Sequence, residues 1–148
     1  MNLQAWKRVK VSDVGNIERA QAGKVYQGGT WIITLSGVNR EACKVLIAPQ
    51  EVDGRYACIT VEEDMHPYYL AAVIEREIDR FLHNYATGIN LQMETLTKCF
   101  KVDFHTNKDT QNALGEAYYK VLKAIDYESK IIELAKERKR DGLNKMFI

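Results

Sequence analysis

The sequence predicts an α+β fold: a small, mainly antiparallel sheet with one packed helix, followed by a long C-terminal helix that forms a coiled-coil-like spacer. Three observations predict it. Short runs of β-branched and aromatic residues, separated by turn signals, fill the first two-thirds of the chain. One stretch among them carries apolar residues at three- and four-residue spacing, the period of a helix with one buried face. The last part contains no proline, since Pro49 and Pro67 both precede it.

The elements follow in order. Lys7 to Val14 opens with Val9 and Val11 alternating against charged neighbours, a half-buried strand that leads into a short helical turn at Ser12-Asp13. Glu18 to Lys24 is polar and contains a glycine, so it reads as a loop. Gly28-Gly29 marks a turn before the strand Thr30–Ser36, and Cys43–Ile47 and Tyr56–Val61 are two further strands around the turn Asp53-Gly54. Pro67 sets up a helix start after Glu62-Glu63-Asp64, whose carboxylates suit the positive end of a helix dipole. Leu70, Ile74, Ile78, Phe81, Leu82 and Tyr85 form its buried face, and it stops before Thr87-Gly88. Ile89 to Cys99 has no clean period, whereas Phe100, Val102 and Phe104 alternate as one more strand.

The polar run His105 to Thr110 ends this domain and offers Asp109 or Thr110 as an N-cap. Two parts are expected: a recognition-like domain over residues 1–108, and a spacer helix with its tail over 109–148. From Thr110 to Asp141 the only glycine is Gly115, so a helix of roughly 30 residues, about 45 Å long, is expected. Its seam is Leu114, Tyr118, Val121, Ile125, Ile132 and Ala135, interrupted by Glu128, with Gly142 as terminator. An apolar seam longer than its domain calls for another helix to cover it; two copies pairing antiparallel would set two such domains at opposite ends of a rod. Folding back on its own domain is the alternative.

Composition narrows the function classes. A chain of 148 residues with 46% hydrophobic content can bury one sizeable core. Its 21 basic and 20 acidic residues leave a formal charge of +1, which argues against gripping nucleic acid by bulk charge alone. Nucleic-acid binding then has to come from a local patch, with a partner's help. No apolar leader opens the sequence and no stretch is long enough to span a bilayer, so a soluble cytoplasmic protein with no membrane partner is expected. Cys43, Cys58 and Cys99 suggest buried reduced thiols rather than a disulfide or zinc site, and His66, His83 and His105 lack metal-ligand spacing.

Two loops carry the chemistry of nucleic-acid contact. Arg19, Gln21 and Lys24 combine a fork donor, an amide able to pair bidentately with adenine, and a phosphate-binding ammonium. Thr87, Gly88, Asn90 and Gln92 offer a hydroxyl, a close-approach glycine and two amides, and Asn39-Arg40 is a weaker third candidate. The run Lys136 to Arg140 reads as a solvated last turn, or else as a contact to a DNA backbone or partner. No GxSxG elbow, P-loop, GxGxxG turn or EF-hand loop is present, and Glu62-Glu63-Asp64 near His66 reads as solvated rather than metal-binding. No catalytic residue, metal ligand or cofactor is assigned.

The order of these segments resembles the specificity subunits of type I restriction-modification systems. Val9 to Arg19 looks like the family's opening, Gly29 to Ser36 like its strand after a glycine turn, and Pro67-Tyr68-Tyr69-Leu70 like its helix start. Gly88 to Gln92 and the closing helix with Gly142 to Phe147 are similar to two further family segments, so the resemblance runs along nearly the whole chain. It implies a non-catalytic, half-length subunit: one target-recognition domain plus one spacer helix. Family members hold two such domains apart with antiparallel helices, read a bipartite site in double-stranded DNA, and recruit a methyltransferase that binds S-adenosylmethionine and a motor subunit that binds ATP. A homodimer of this chain would read a split palindrome. Thr87, Gly88, Asn90 and Gln92 become DNA contacts, and the helix seam becomes the spacer. The alternative is an interaction protein of the same fold that pairs with full specificity subunits or other partners without reading DNA. A small enzyme whose site is assembled only in space is a third reading.

Overall fold

The computed structural model describes residues 5–38, 40–86 and 90–147. The fold is α+β, with small antiparallel sheets and a long C-terminal helix. Its elements are β1 (Trp6–Lys10), α1 (Val11–Val14), β2 (Gly15–Arg19), β3 (Val25–Tyr26), β4 (Trp31–Thr34), a 3-10 turn (Arg40–Ala42), β5 (Lys44–Val45), β6 (Gln50–Glu51), β7 (Tyr56–Val61), α2 (Tyr69–Tyr85), α3 (Met93–Cys99), β8 (Lys101–His105) and α4 (Lys108–Met146). The chain divides into two compact units, residues 1–118 and 119–148. The polar segment around residue 108 thus marks the start of α4, and the opening turns of that helix belong to the first unit.

Strand β7 lies inside a four-stranded sheet of order β2-β7-β4-β5, pairing antiparallel with β2 (Ile17 opposite Ile59) and β4 (Ile32 opposite Cys58). Both faces are buried. Ile32 and Cys58 join Ala20, Tyr26, Leu46 and Val52 in one cluster, while Trp31, Ile33, Ala57 and Ile59 point the other way and are also shielded. That is why these strands read as continuous apolar runs rather than alternating ones. Two ribbons complete the unit, β1 with β8 and β3 with β6. Burial pushes the Cys43 and Cys58 thiols up to about 11, so they stay protonated at neutral pH and behave as small apolar groups.

Helix α2 buries Leu70, Ile74, Ile78 and Phe81, as its spacing predicts, but Leu82 is half-buried and Tyr85 exposed. It packs on β8: the Phe81 and Phe100 rings stack at 4.4 Å, Tyr69 meets Phe104 edge-on at 5.3 Å, and the Tyr69 hydroxyl accepts the His105 N–H at 2.8 Å. The helix is entered through the turn at Pro67, whose carbonyl lies directly over Gly29. Gly29 has φ +95°, and a side chain there would strike that carbonyl, so the position requires glycine on both counts.

Several elements differ from expectation. Strand β2 begins at Gly15, directly after the predicted opening segment, and takes up Glu18 and Arg19 from the predicted loop. It is an edge strand with Ile17 as its one large apolar residue, so no alternation announces it. Helix α3 buries only Leu96 over seven residues, too few turns for a period to show. The cap of α4 is Asn107, whose Oδ1 accepts the Thr110 N–H at 3.0 Å, rather than Asp109 or Thr110. Gly142 does not end α4, which runs 39 residues to Met146, because one helical glycine costs only about 1 kcal/mol among good helix formers.

The two glycines of α4 give opposite predictions for one substitution. Gly115 is buried against the His66 ring, which is held by the Tyr68 N–H at Nδ1 (3.1 Å) and by Glu116 at Nε2 (3.4 Å). Gly115→Ala places a methyl on that ring and is expected to destabilise the first unit by about 1–3 kcal/mol. A Cβ at Gly142 meets nothing within 4 Å. Gly142→Ala is expected to stabilise the helix by about 0.5–1 kcal/mol. Denaturant titration followed by circular dichroism reads both signs.

Candidate nucleic-acid interface

One cleft of the first unit, about 660 Å³, gathers residues far apart in sequence: Arg19, Ser36, Asp53, Arg55, Asn90 and Gln92 among them. Its construction follows from the end of β4. Beyond Thr34 the chain stays extended, so the Leu35 N–H donates to the Arg55 carbonyl at 3.1 Å and the Leu35 carbonyl accepts the Leu91 N–H at 2.9 Å. An isolated antiparallel bridge then joins Ser36 to Asn90. Arg19, the last residue of β2, stands opposite Ala57 near the start of β7 and reaches the same place. The sheet end thereby brings together the two loops that the sequence singles out separately, around Arg19 and around Asn90 and Gln92.

The side chains at this cleft are available. Arg19 is exposed, and neither its guanidinium nor the Asn90 and Gln92 amides bond to another described residue. Gln92 is the N-cap residue of α3 but makes no side-chain capping bond, which leaves its amide for other partners. Arg55 adds a second guanidinium, an addition the sequence does not signal, because only the Leu35 pairing carries it to this place. It leans on the Tyr56 ring at 6.0 Å and on Asp53 at 3.4 Å, and the Arg55 and Asp53 side chains are both more than half exposed. The cleft thus offers two planar fork donors and two amides against one carboxylate. Such a set can bind phosphate oxygens through the forks and base edges through the amides.

The remaining sequence candidates are placed otherwise. Glu18 holds both Gln21 and Lys24, accepting from the Gln21 amide at 2.9 Å and from the Lys24 ammonium at 2.6 Å, and it also takes the Tyr26 hydroxyl at 2.9 Å. The Lys24 hydrogen bond lowers the Glu18 pKa below the usual carboxylate range and raises that of Lys24 in return. Lys24 lines a different cleft, which it shares with Glu62 and Glu63. Arg40 is more fully engaged: its fork binds Glu75 at 2.5 Å, Asp79 at 2.8 Å and the Cys43 carbonyl at 2.9 Å, and it lies over the Trp31 ring. It clamps the 3-10 turn to α2. Asn39, Thr87 and Gly88 lie outside the described residues.

The predicted helix seam is divided between the units. Leu114 and Tyr118 are half-buried in the first unit, where they line an apolar groove with Trp6, Ala72 and Val73. Burial raises the Tyr118 phenol above its ordinary pKa, so it stays neutral. In the second unit Val121, Ile125 and Ile132 are 55, 56 and 54% exposed, and Ala135 is exposed as well. Tyr127, Ile131, Leu134, Leu143 and Met146 are further large apolar side chains exposed on this helix. Among the described residues no cluster of three or more His, Cys, Asp or Glu side chains is placed to hold a metal, and no helix is long and apolar enough to cross a membrane. His66 instead pairs with Glu116, and Asp64 with Lys108 at 3.5 Å. No protein-family model, curated protein or solved structure matches this chain.

Proposed function

We propose that this chain is a non-catalytic, sequence-specific DNA-recognition subunit of a type I restriction-modification assembly, acting as a helix-mediated dimer that directs a methyltransferase partner. The observation that carries the reading is the single cleft in which Arg19 and Arg55 stand beside the Asn90 and Gln92 amides. Fork donors fix position on phosphates, or read guanine bidentately, while amides read adenine. Two guanidiniums on a chain of net charge +1 contribute few phosphate contacts. With each contact changing the salt dependence by about 0.9 in log-log slope, the electrostatic affinity of one copy is small, and doubling by a second copy and support from the methyltransferase supply the rest.

A second reading has its own support. Gln21, Lys24 and Arg40 are all occupied by internal partners, while the apolar residues of the second unit are exposed. This pattern favours an interaction protein that pairs with full specificity subunits without reading DNA. Selection of bound sequences from random duplex DNA, at fixed salt and with or without a type I methyltransferase subunit, separates the two. Enrichment of a split palindrome is the result expected of a symmetric recognition dimer. No enrichment in either arm, with folded protein and a competent partner, rejects DNA recognition in favour of the interaction reading.

A further inference from the structure

The second unit carries two charged residues within its apolar seam, and they have opposite signs. At seven-residue spacing, Val121, Glu128, Ala135 and Gly142 occupy one seam position, and Ile125, Ile132, Lys139 and Met146 occupy the other. All eight are exposed. Two ion pairs form elsewhere along this segment, off the seam: Lys130 with Asp126 at 2.9 Å, and Lys136 with Glu133 at 3.8 Å. Neither Glu128 nor Lys139 pairs with any described residue of its own chain.

We propose that residues 121–146 bind the same segment of a second copy of this chain, antiparallel, in the one register that seats Glu128 of each copy against Lys139 of the other. The inference rests on the dimer reading above and specifies its geometry. A parallel, in-register pair is disfavoured, since it sets Glu128 against Glu128 and Lys139 against Lys139 inside the seam. Among antiparallel alignments, pairing Glu128 with Lys139 also sets Ile132 opposite Ala135, Ile125 opposite Gly142, and Val121 opposite Met146. Large residues then face small ones in the central layers, as close packing of two helices requires. Leu122 and Leu143 come together along one edge.

The neighbouring registers fail on charge. Sliding one copy by seven residues puts Glu128 opposite Ile132 and Lys139 opposite Val121. The opposite slide puts Glu128 opposite Met146 and Lys139 opposite Ala135. Each leaves four charges per dimer in apolar layers without a partner, and an uncompensated buried charge is far more costly than a paired one. The polar interruptions of the seam therefore act as register marks, the role for which buried polar residues in paired helices are best attested.

Sedimentation of the full chain and of charge variants tests this, with circular dichroism confirming that each variant remains helical. Glu128→Lys and Lys139→Glu are each expected to weaken the dimer about tenfold or more, and the double variant to return to within about threefold of the original. The loss in the single variants is diagnostic, because a parallel pair sets like charges together in the original and in every variant, so the singles would dimerise as well as the original. If the original chain dimerises but the single variants dimerise as well as it does, or the double variant stays as weak as the singles, the register is overturned while the dimer reading stands. If the original chain remains monomeric at the highest attainable concentration, both are overturned.

Discussion

Replacing Val121 and Ile125 together with aspartate is expected to turn the proposed dimer into monomers while leaving the first unit as stable as before. Both side chains are more than half exposed in the single chain, and surface changes of this kind usually shift stability by about 0.5 kcal/mol or less. In the dimer the same positions form the seam. Four carboxylates per dimer then enter an apolar interface, each unpaired, at several kcal/mol per ion. The expected loss in dimer affinity is at least about 1,000-fold, or 4 kcal/mol. Sedimentation reads the association, and thermal unfolding followed at the aromatic residues reads the domain. An unchanged mass would mean that these residues do not hold two copies together. A monomer whose domain also unfolds early would instead tie the second unit to folding of the first.

The long helix and the packed helix α2 were legible because their signals are local. Leu70, Ile74, Ile78 and Phe81 repeat over about three turns, and the final stretch holds no proline and only two glycines, Gly115 and Gly142. What the local pattern leaves out is what each glycine meets. Gly115 is needed because His66, a third of the chain away, lies against it, whereas Gly142 meets nothing and continues the helix rather than ending it. Leu114 and Tyr118 continue the seam spacing, yet they lie against β1 and α2 residues in the first unit, because Gln111 and Gly115 seat the opening turns of α4 in that unit. Edge strand β2 and the two-turn helix α3 escaped because too few of their side chains are buried to make a period.

The candidate cleft was legible in its residue types and not in its assembly. Arg19, Asn90 and Gln92 were marked by residue type alone, and their convergence depends on backbone bonds from Leu35 to Arg55 and Leu91, which no spacing rule encodes. The same bonds bring in Arg55, which the sequence does not signal. Gln21, Lys24 and Arg40 looked equally suitable because their neutralising partners are not evident from residue type. Glu18 is six residues from Lys24 and becomes its partner only through the turn into β3, and Glu75 and Asp79 reach Arg40 from α2. Local composition finds donors; tertiary pairing decides which remain free.

These differences in engagement predict a ranking of substitutions on DNA binding. Arg19→Ala is expected to weaken specific binding by the dimer at least about 30-fold, since a good bidentate contact contributes about 1–3 kcal/mol and two clefts are affected. Asn90→Ala and Gln92→Ala are expected to relax the base preference at single positions of each half-site, with the salt dependence unchanged, because amides contribute no counterion release. Arg40→Ala is expected to leave binding intact but to lower stability by about 1–3 kcal/mol, since it abandons Glu75 and Asp79 on α2 and frees the 3-10 turn. Lys24→Ala is expected to leave binding near the original, because Glu18 already holds that ammonium. Titration of fluorescent duplexes carrying the selected site, repeated at two salt concentrations, measures affinity and slope together. Equal losses at Arg19 and Lys24 would move the DNA surface away from the cleft at the end of β4 and toward the loop that precedes β3. Unchanged binding at Arg19, Asn90 and Gln92 alike would leave the cleft without a role in recognition and favour the interaction-protein reading instead.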